Sequence, residues 1–284
     1  MTNLNVTALI DASAYAPSVC EHALWAATRL GLPAHLVHVL VRKAVHSADY
    51  SGSIALGART SLLSELARLD EERARVAQQH GRALLEDAEA LLRERGLANV
   101  SSRLRHGEVV EAITGLEAEA ELIVVGKRGE AADFDTLHLG SNLERIARSV
   151  SRPLLVAARS FRPVDKVLLA FDGGPSAVKA VDYIARSPLF SGLHIHLLMA
   201  GEPDTARKAS LTAAEEKLKA AGFDVLTGIA AGEPEAVIAS AVERNGIGLL
   251  VMGAYGHSRL RSLIIGSTTT EMLRSCKVPV LLFR

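Results

Sequence analysis

Cysteine is scarce in this chain: among 284 residues only Cys20 and Cys276 occur, and they form no CxxC pair. That excludes a disulfide scaffold and a Cys-based zinc centre, and it fits a reduced, cytoplasmic chain with two buried structural thiols. Aromatic residues make up 4%, too few for the stacking platforms of single-stranded nucleic acid binding. Neither sign of charge prevails, because 32 Lys+Arg face 32 Asp+Glu. Nothing in this balance suggests a nucleic-acid or anionic-membrane partner, since either would normally leave a basic excess on some segment. No apolar run approaches the ~18 residues of a membrane span. The opening MTNLNVTALIDAS lacks the basic segment and apolar core of a secretion signal. The enzyme signatures G-x4-G-K-[ST], G-x-S-x-G and H-E-x-x-H are also absent.

What is present centres on residues 249–269, LLVMGAYGHSRLRSLIIGSTT. An apolar run ends at Gly253, Gly256 follows, and Gly266-Ser267-Thr268 then opens a helical pattern. Such a strand, glycine loop and helix start suit anion capture. Glycines let the backbone approach a phosphate, and the helix start adds free N–H groups and a positive dipole end. The competing reading makes Gly253 a strand end and Thr268-x-x-Glu271 a capping box. His257, Ser258 and Arg259 lie in the loop within reach of a phosphate oxygen, with Arg259 and Arg261 equally readable as surface charges.

A second copy of the pattern occupies residues 122–142, LIVVGKRGEAADFDTLHLGSN, with Gly126, Gly129, Gly140 and Ser141 in the same order. Ten residues rather than nine separate its second and third glycines. Asp11 and Asp172 each close a strand, Gly107-Glu108 matches Gly232-Glu233, and Pro153 matches Pro279. The chain is thus a tandem duplication of two units of about 140 residues, each long enough to bury a core. The aspartates are 161 residues apart and the Gly-Glu pairs 125, so the first unit carries a helix-sized insertion.

Gly253-x2-Gly256-x9-Gly266-Ser267, with Asp172 closing the first strand of the same unit, resembles the universal stress protein family. The resemblance spans nearly the whole chain, as one unit at 1–159 with a helical insertion at about 43–95, and one at 160–284. It implies an α/β fold, two five-stranded parallel-sheet sandwiches of the adenine nucleotide alpha hydrolase-like, Rossmann-like kind. It implies ATP with Mg2+ as ligand, phosphates held by Gly253, Gly256, His257, Gly266, Ser267 and Thr268, and Asp172 on the nucleoside side. Asp11, Gly126, Gly129, Gly140 and Ser141 are the weaker first-unit equivalents. In the family the last strand pairs across a dimer; here residues 154–158 and 280–283 could pair within one chain as a pseudo-dimer, with a homodimer of two chains left open.

Alternating strands and helices over the whole length predict a parallel sheet with helices on both faces. The expected order opens with a strand at 6–10, a helix from 16 to 30, a strand at 36–41 and an aperiodic loop at 43–60. A long helix at 61–95 follows, interrupted or not at Gly81. The second unit runs from a strand at 166–171 to a strand at 278–283. The first unit departs from the pattern in its loop, where Glu130, Asp133 and Asp135 would repel a triphosphate and Lys127 and Arg128 only partly offset them. Weak ATP binding, or another ligand, is expected there. His194 and His196 share a strand face, yet no third ligand accompanies them, so packed or edge histidines are expected here and at His35 and His38. No metal site and no catalytic residue is assigned. The functional expectation is a nucleotide-dependent sensor or regulator, with ATP mainly in the second unit. A slow ATPase or adenylyl- or phosphoryl-transfer enzyme and a nucleotide-free scaffold are the alternatives. No general base aimed at the γ-phosphate is visible, so hydrolysis should be slow at most.

Overall fold

Short runs rich in Val, Leu and Ile become strands, and the amphipathic segments between them become helices. The computed structural model describes residues 4–41, 56–129, 141–254 and 266–284. Positions 43–55, Glu130, Asp133, Asp135, Gly140, Gly256, His257, Ser258, Arg259 and Arg261 lie outside the described residues. The first half runs β1 (Asn5–Leu9), α1 (Ala16–Leu30), β2 (Ala34–Leu40), α2 (Leu56–Glu94), β3 (Val100–His106), α3 (Val109–Thr114), β4 (Ala120–Gly126), α4 (Ser141–Ser149) and β5 (Leu154–Ala157). The second runs β6 (Lys166–Ala170), α5 (Pro175–Arg186), β7 (His194–Ala200), α6 (Thr205–Ala220), β8 (Val225–Ala230), α7 (Pro234–Arg244), β9 (Leu249–Gly253), α8 (Ser267–Ser275) and β10 (Val280–Phe283).

The two halves do not keep separate sheets. One ten-stranded sheet runs β3-β2-β1-β4-β5-β10-β9-β6-β7-β8. Every pairing within a half is parallel, and the junction of β5 with β10 is antiparallel, with Leu155 opposite Leu281. The last strands therefore do pair inside the chain. Because that junction reverses direction, the C-terminal strand tips of the two halves lie at opposite ends of the sheet.

Each face of the sheet carries one core shared by both halves. α1, α2, α5 and α6 pack on one face around Val6, Leu36, Leu155, Leu169 and Leu281. α3, α4, α7 and α8 cover the other around Val37, Ile123, Leu154, Leu250 and Leu282. Alternate residues of one strand serve opposite faces, as the pleat requires.

The expected helical insertion is a lengthening and not an extra element. Between its second and third strands each half has one crossover helix, of 39 residues in α2 and 16 in α6. The added length lies at the N-terminal end of α2, where residues 64–80 are almost all exposed; Leu85, Ala88 and Leu92 of the last turns are buried. Gly81 does not interrupt the helix. It marks where α2 meets the sheet, since a Cβ there would stand 2.7 Å from His38 Cδ2 and 2.8 Å from Leu104 Cδ1. α3 is short, because the chain turns at Gly115.

Candidate functional site

In each half the strand order reverses direction between two neighbours. From β1 the chain moves outward through β2 and β3 and then returns to β4 on the other side; from β6 it moves through β7 and β8 and returns to β9. Beyond the C-terminal tips of such a pair no connection crosses, and a crevice is left where open α/β sheets bind ligands. Asp11 and Gly126 stand at the β1/β4 crevice, and Asp172 and Gly253 at the β6/β9 crevice. The two aspartates predicted from their strand-end positions are thus brought beside the glycines of their own loops.

At the second crevice Asp172 is exposed, and its Oδ1 accepts the Gly174 N–H at 2.8 Å. This local turn starts α5, whose N-cap is Gly174, with Pro175 in the first turn and no side-chain cap. Ser176, one residue into the helix, packs under Gly253. A Cβ on Gly253 would lie 2.9 Å from Ser176 Cβ, so only glycine lets the β9 tip sit this close to α5.

The start of α8 is bound to the same tip. Gly266 N–H donates to the Ala254 carbonyl at 3.3 Å, and the Thr269 hydroxyl donates to the Gly253 carbonyl at 3.2 Å. Gly266 is the N-cap and no side chain caps the helix, so the Thr268-x-x-Glu271 capping box does not form. The first hydrogen bond of the helix runs from Thr270 N–H to the Gly266 carbonyl, leaving the N–H groups of Ser267, Thr268 and Thr269 ahead of the helical ladder. Ser267 is exposed, while the Thr268 hydroxyl donates to Glu235 Oε1 of α7 at 2.7 Å. Thr268 thus presents its backbone and not its hydroxyl to the crevice.

Sequence reasoning missed the β7 rim. Gly201, at φ 125°, turns the chain so that the Arg207 guanidinium lies over it, with Nη1 donating to the Glu202 carbonyl at 2.7 Å. Ser210 of α6 comes within 3.2 Å of a Cβ placed on Gly173. No periodicity announces these contacts, since they depend on two positive-φ glycines folding loops back onto α6.

At the first crevice Gly129 lies against Asp11, whose Oδ2 would be 3.3 Å from a Cβ on that glycine. Asp11 Oδ1 also accepts the Ser13 N–H at 3.1 Å, the counterpart of the turn at Asp172. Lys127 has a partner outside this loop. Its buried ammonium crosses to the second half, where Nζ donates to the Cys276 carbonyl at the C-terminal end of α8 at 2.8 Å. Burial, aided by nearby Arg128, pulls Lys127 down to about 8. Burial likewise raises Cys20 to about 12 and raises Cys276, so both thiols are held protonated and unreactive.

Three of the histidines are engaged in local contacts. His194 Nδ1 lies 3.0 Å from Asp224 Oδ2, His38 Nδ1 lies 2.7 Å from the Ile10 carbonyl, and His35 Nδ1 lies 2.9 Å from Ser101 Oγ. Among the described residues no helix is long and apolar enough to cross a membrane, and no three His, Cys, Asp or Glu side chains group as metal ligands.

The model of the Universal stress protein family matches residues 3–158 and 197–284. Universal stress protein Slr1230 of Synechocystis is 37% identical over 285 residues, covering 99% of each chain. The chain belongs to the universal stress protein family. In fold, it is similar to a universal stress protein of Archaeoglobus fulgidus, at TM-score 0.71 and 22% identity over 100% of this chain and 99% of that one. A putative universal stress protein of Pseudomonas aeruginosa aligns at TM-score 0.64 and 17% identity over 99% and 94%. Between the two stretches matched by the family model lies the segment holding β6 and α5. Asp172 is thus placed in this universal stress protein by its position at the β6 tip, matching Asp11 at the tip of β1.

Proposed function

We propose that this universal stress protein binds ATP in its second half, in the cytoplasm, and that occupancy shifts conformation or partner choice. The observation carrying this reading is the uncapped N-terminus of α8, fastened beside Gly253 and facing the β6/β9 switch point. Backbone N–H groups and a helix dipole at one spot form a cradle for phosphate oxygens. Gly253, Gly266, Ser267 and Thr268 supply that cradle together with Gly256 and His257, and Asp172 is suited to accept from a ribose hydroxyl or exocyclic amine. Mg2+ would accompany the nucleotide, held by its phosphates.

The first half is the weaker binder, because Glu130, Asp133 and Asp135 stand in its loop and Lys127 is committed to Cys276. Turnover decides between sensor and enzyme. Purified chain incubated with Mg-ATP should retain ATP, with little ADP or AMP resolved by chromatography. Sustained product formation lost in Asp172→Ala would contradict the sensor and favour an enzyme.

A further inference from the structure

Among the described residues the sheet ends in two edge strands, β3 and β8, and they differ. On β3 the backbone groups of Val100 point outward, because Asn99 and residues in step with it pair with β2. Arg93 Nη2 donates to that outward Val100 carbonyl at 3.1 Å, and Arg103 and Arg105 put charge on the strand. Such devices keep an edge from recruiting another strand. β8 reads VLTGIA and carries no charged residue. The N–H groups of Ile195 and Gly201 donate to the carbonyls of Asp224 and Ala230, so the even-numbered residues of β8 face β7, and Val225, Thr227 and Ile229 point their backbone outward. Among the described residues no side chain bonds those outward groups. Beside them Leu226 is 62% exposed.

We propose that β8 is an interaction surface for a second copy of this chain, pairing antiparallel with the copy's own β8 about a twofold axis at Thr227. Its side chains select this occupant. The axis sets Val225 opposite Ile229, Thr227 opposite itself and Leu226 opposite Gly228. The first two are pairs of β-branched residues, favourable across strands. The third matches a protruding side chain to a bare position, since a Cβ on Gly228 would meet only Leu198 Cδ1, at 3.9 Å. Leu198 stands in register beside Gly228 on β7. Leu226 of the second copy therefore lies over Gly228 against Leu198, at the mouth of a groove of about 510 Å3 bounded by Ala230 and Val237. Asp224, already paired with His194, falls opposite Ala230; at the Thr227 layer each hydroxyl donates to Glu215, whose charge Lys219 of the same helix offsets within its own copy. The same operation on β3, centred on Leu104, would set Arg103 against Arg105. A six-residue edge covers less than the ~1,200 Å2 of a stable complex, so the dimer is concentration-dependent.

Sedimentation equilibrium of the full chain over a wide concentration range tests this, with thermal melting to verify that each variant is folded. The wild type should rise from the 30.2 kDa monomer towards twice that mass. Leu226→Lys and Gly228→Asp each bring like charges together diagonally across the axis, and each alone should stay monomeric. In a mixture of the two variants the introduced ammonium of one chain faces the introduced carboxylate of the other, and the doubled mass should return as a heterodimer. A wild type that stays monomeric throughout overturns the proposal. So does a dimer that both variants leave intact, or a mixture that fails to associate.

Discussion

Gly253 has Ser176 beneath it at a distance no side chain tolerates, so Gly253→Val should displace the β9 tip from α5. A loss of about 1–3 kcal/mol in stability is expected from such overpacking, read as a lowered Tm, together with loss of ATP binding. Lys127 makes a pH-dependent contribution. Burial leaves its folded pKa at about 8, below its ordinary 10.5. As pH rises through that window the folded chain releases this proton first and the unfolded chain still holds it, so the Lys127 contribution rises with pH by up to about 3 kcal/mol, while the raised Cys20 and Cys276 thiols contribute in the opposite direction above their ordinary value. Below the window the charged form dominates in both states and the full burial cost remains. Lys127→Met should flatten this rise, as measured by denaturant unfolding on either side of the window; an unchanged slope would show that another group titrates. Asp172 and the glycine spacing were legible in the sequence because strand-end aspartates and glycine loops repeat. The partners of Lys127, Thr268 and Arg207 were not, because each is set by contacts between elements far apart in the chain.

Several element boundaries followed the apolar pattern closely, although α2 starts at Leu56, inside the stretch expected as a loop. A strand expected at 166–171 is Lys166–Ala170, and a helix expected at 16–30 is Ala16–Leu30. Buried strands and capped helices write their periods locally. The long helix was legible as helix and opaque in its role, since Ala, Leu, Glu and Arg suit a free arm as well as a covering layer. Packing separates its two parts: Val76 is 63% exposed and Leu92 fully buried against the sheet. Leu92→Ala should cost about 2–5 kcal/mol, whereas Val76→Ser should stay within about 0.5 kcal/mol. Equal effects in chemical denaturation would mean that the arm is packed in solution.

At the scale of the molecule, the β5/β10 junction makes one body of a duplicated chain. Leu155 and Leu281 face each other there, both fully buried, and each facial core runs across both halves. Leu281→Ala should therefore cost about 2–5 kcal/mol and lower a single melting transition. Separate transitions for the halves would contradict a shared core. The fusion of the two sheets was foreshadowed by the matching last strands, although hydrophobic pattern alone does not report which partner a strand takes. It also sets the crevices at opposite ends, with Lys127 joining the loop of the first to the C-terminal end of α8, the helix whose other end is the proposed phosphate cradle of the second. Calorimetric titration with Mg-ATP, on the wild type and on Gly266→Asp, is the decisive measurement. One binding event per chain, lost when a carboxylate enters the α8 N-terminus, is expected. Absence of binding in the wild type, or an event that survives the substitution, would contradict an ATP site in the second half.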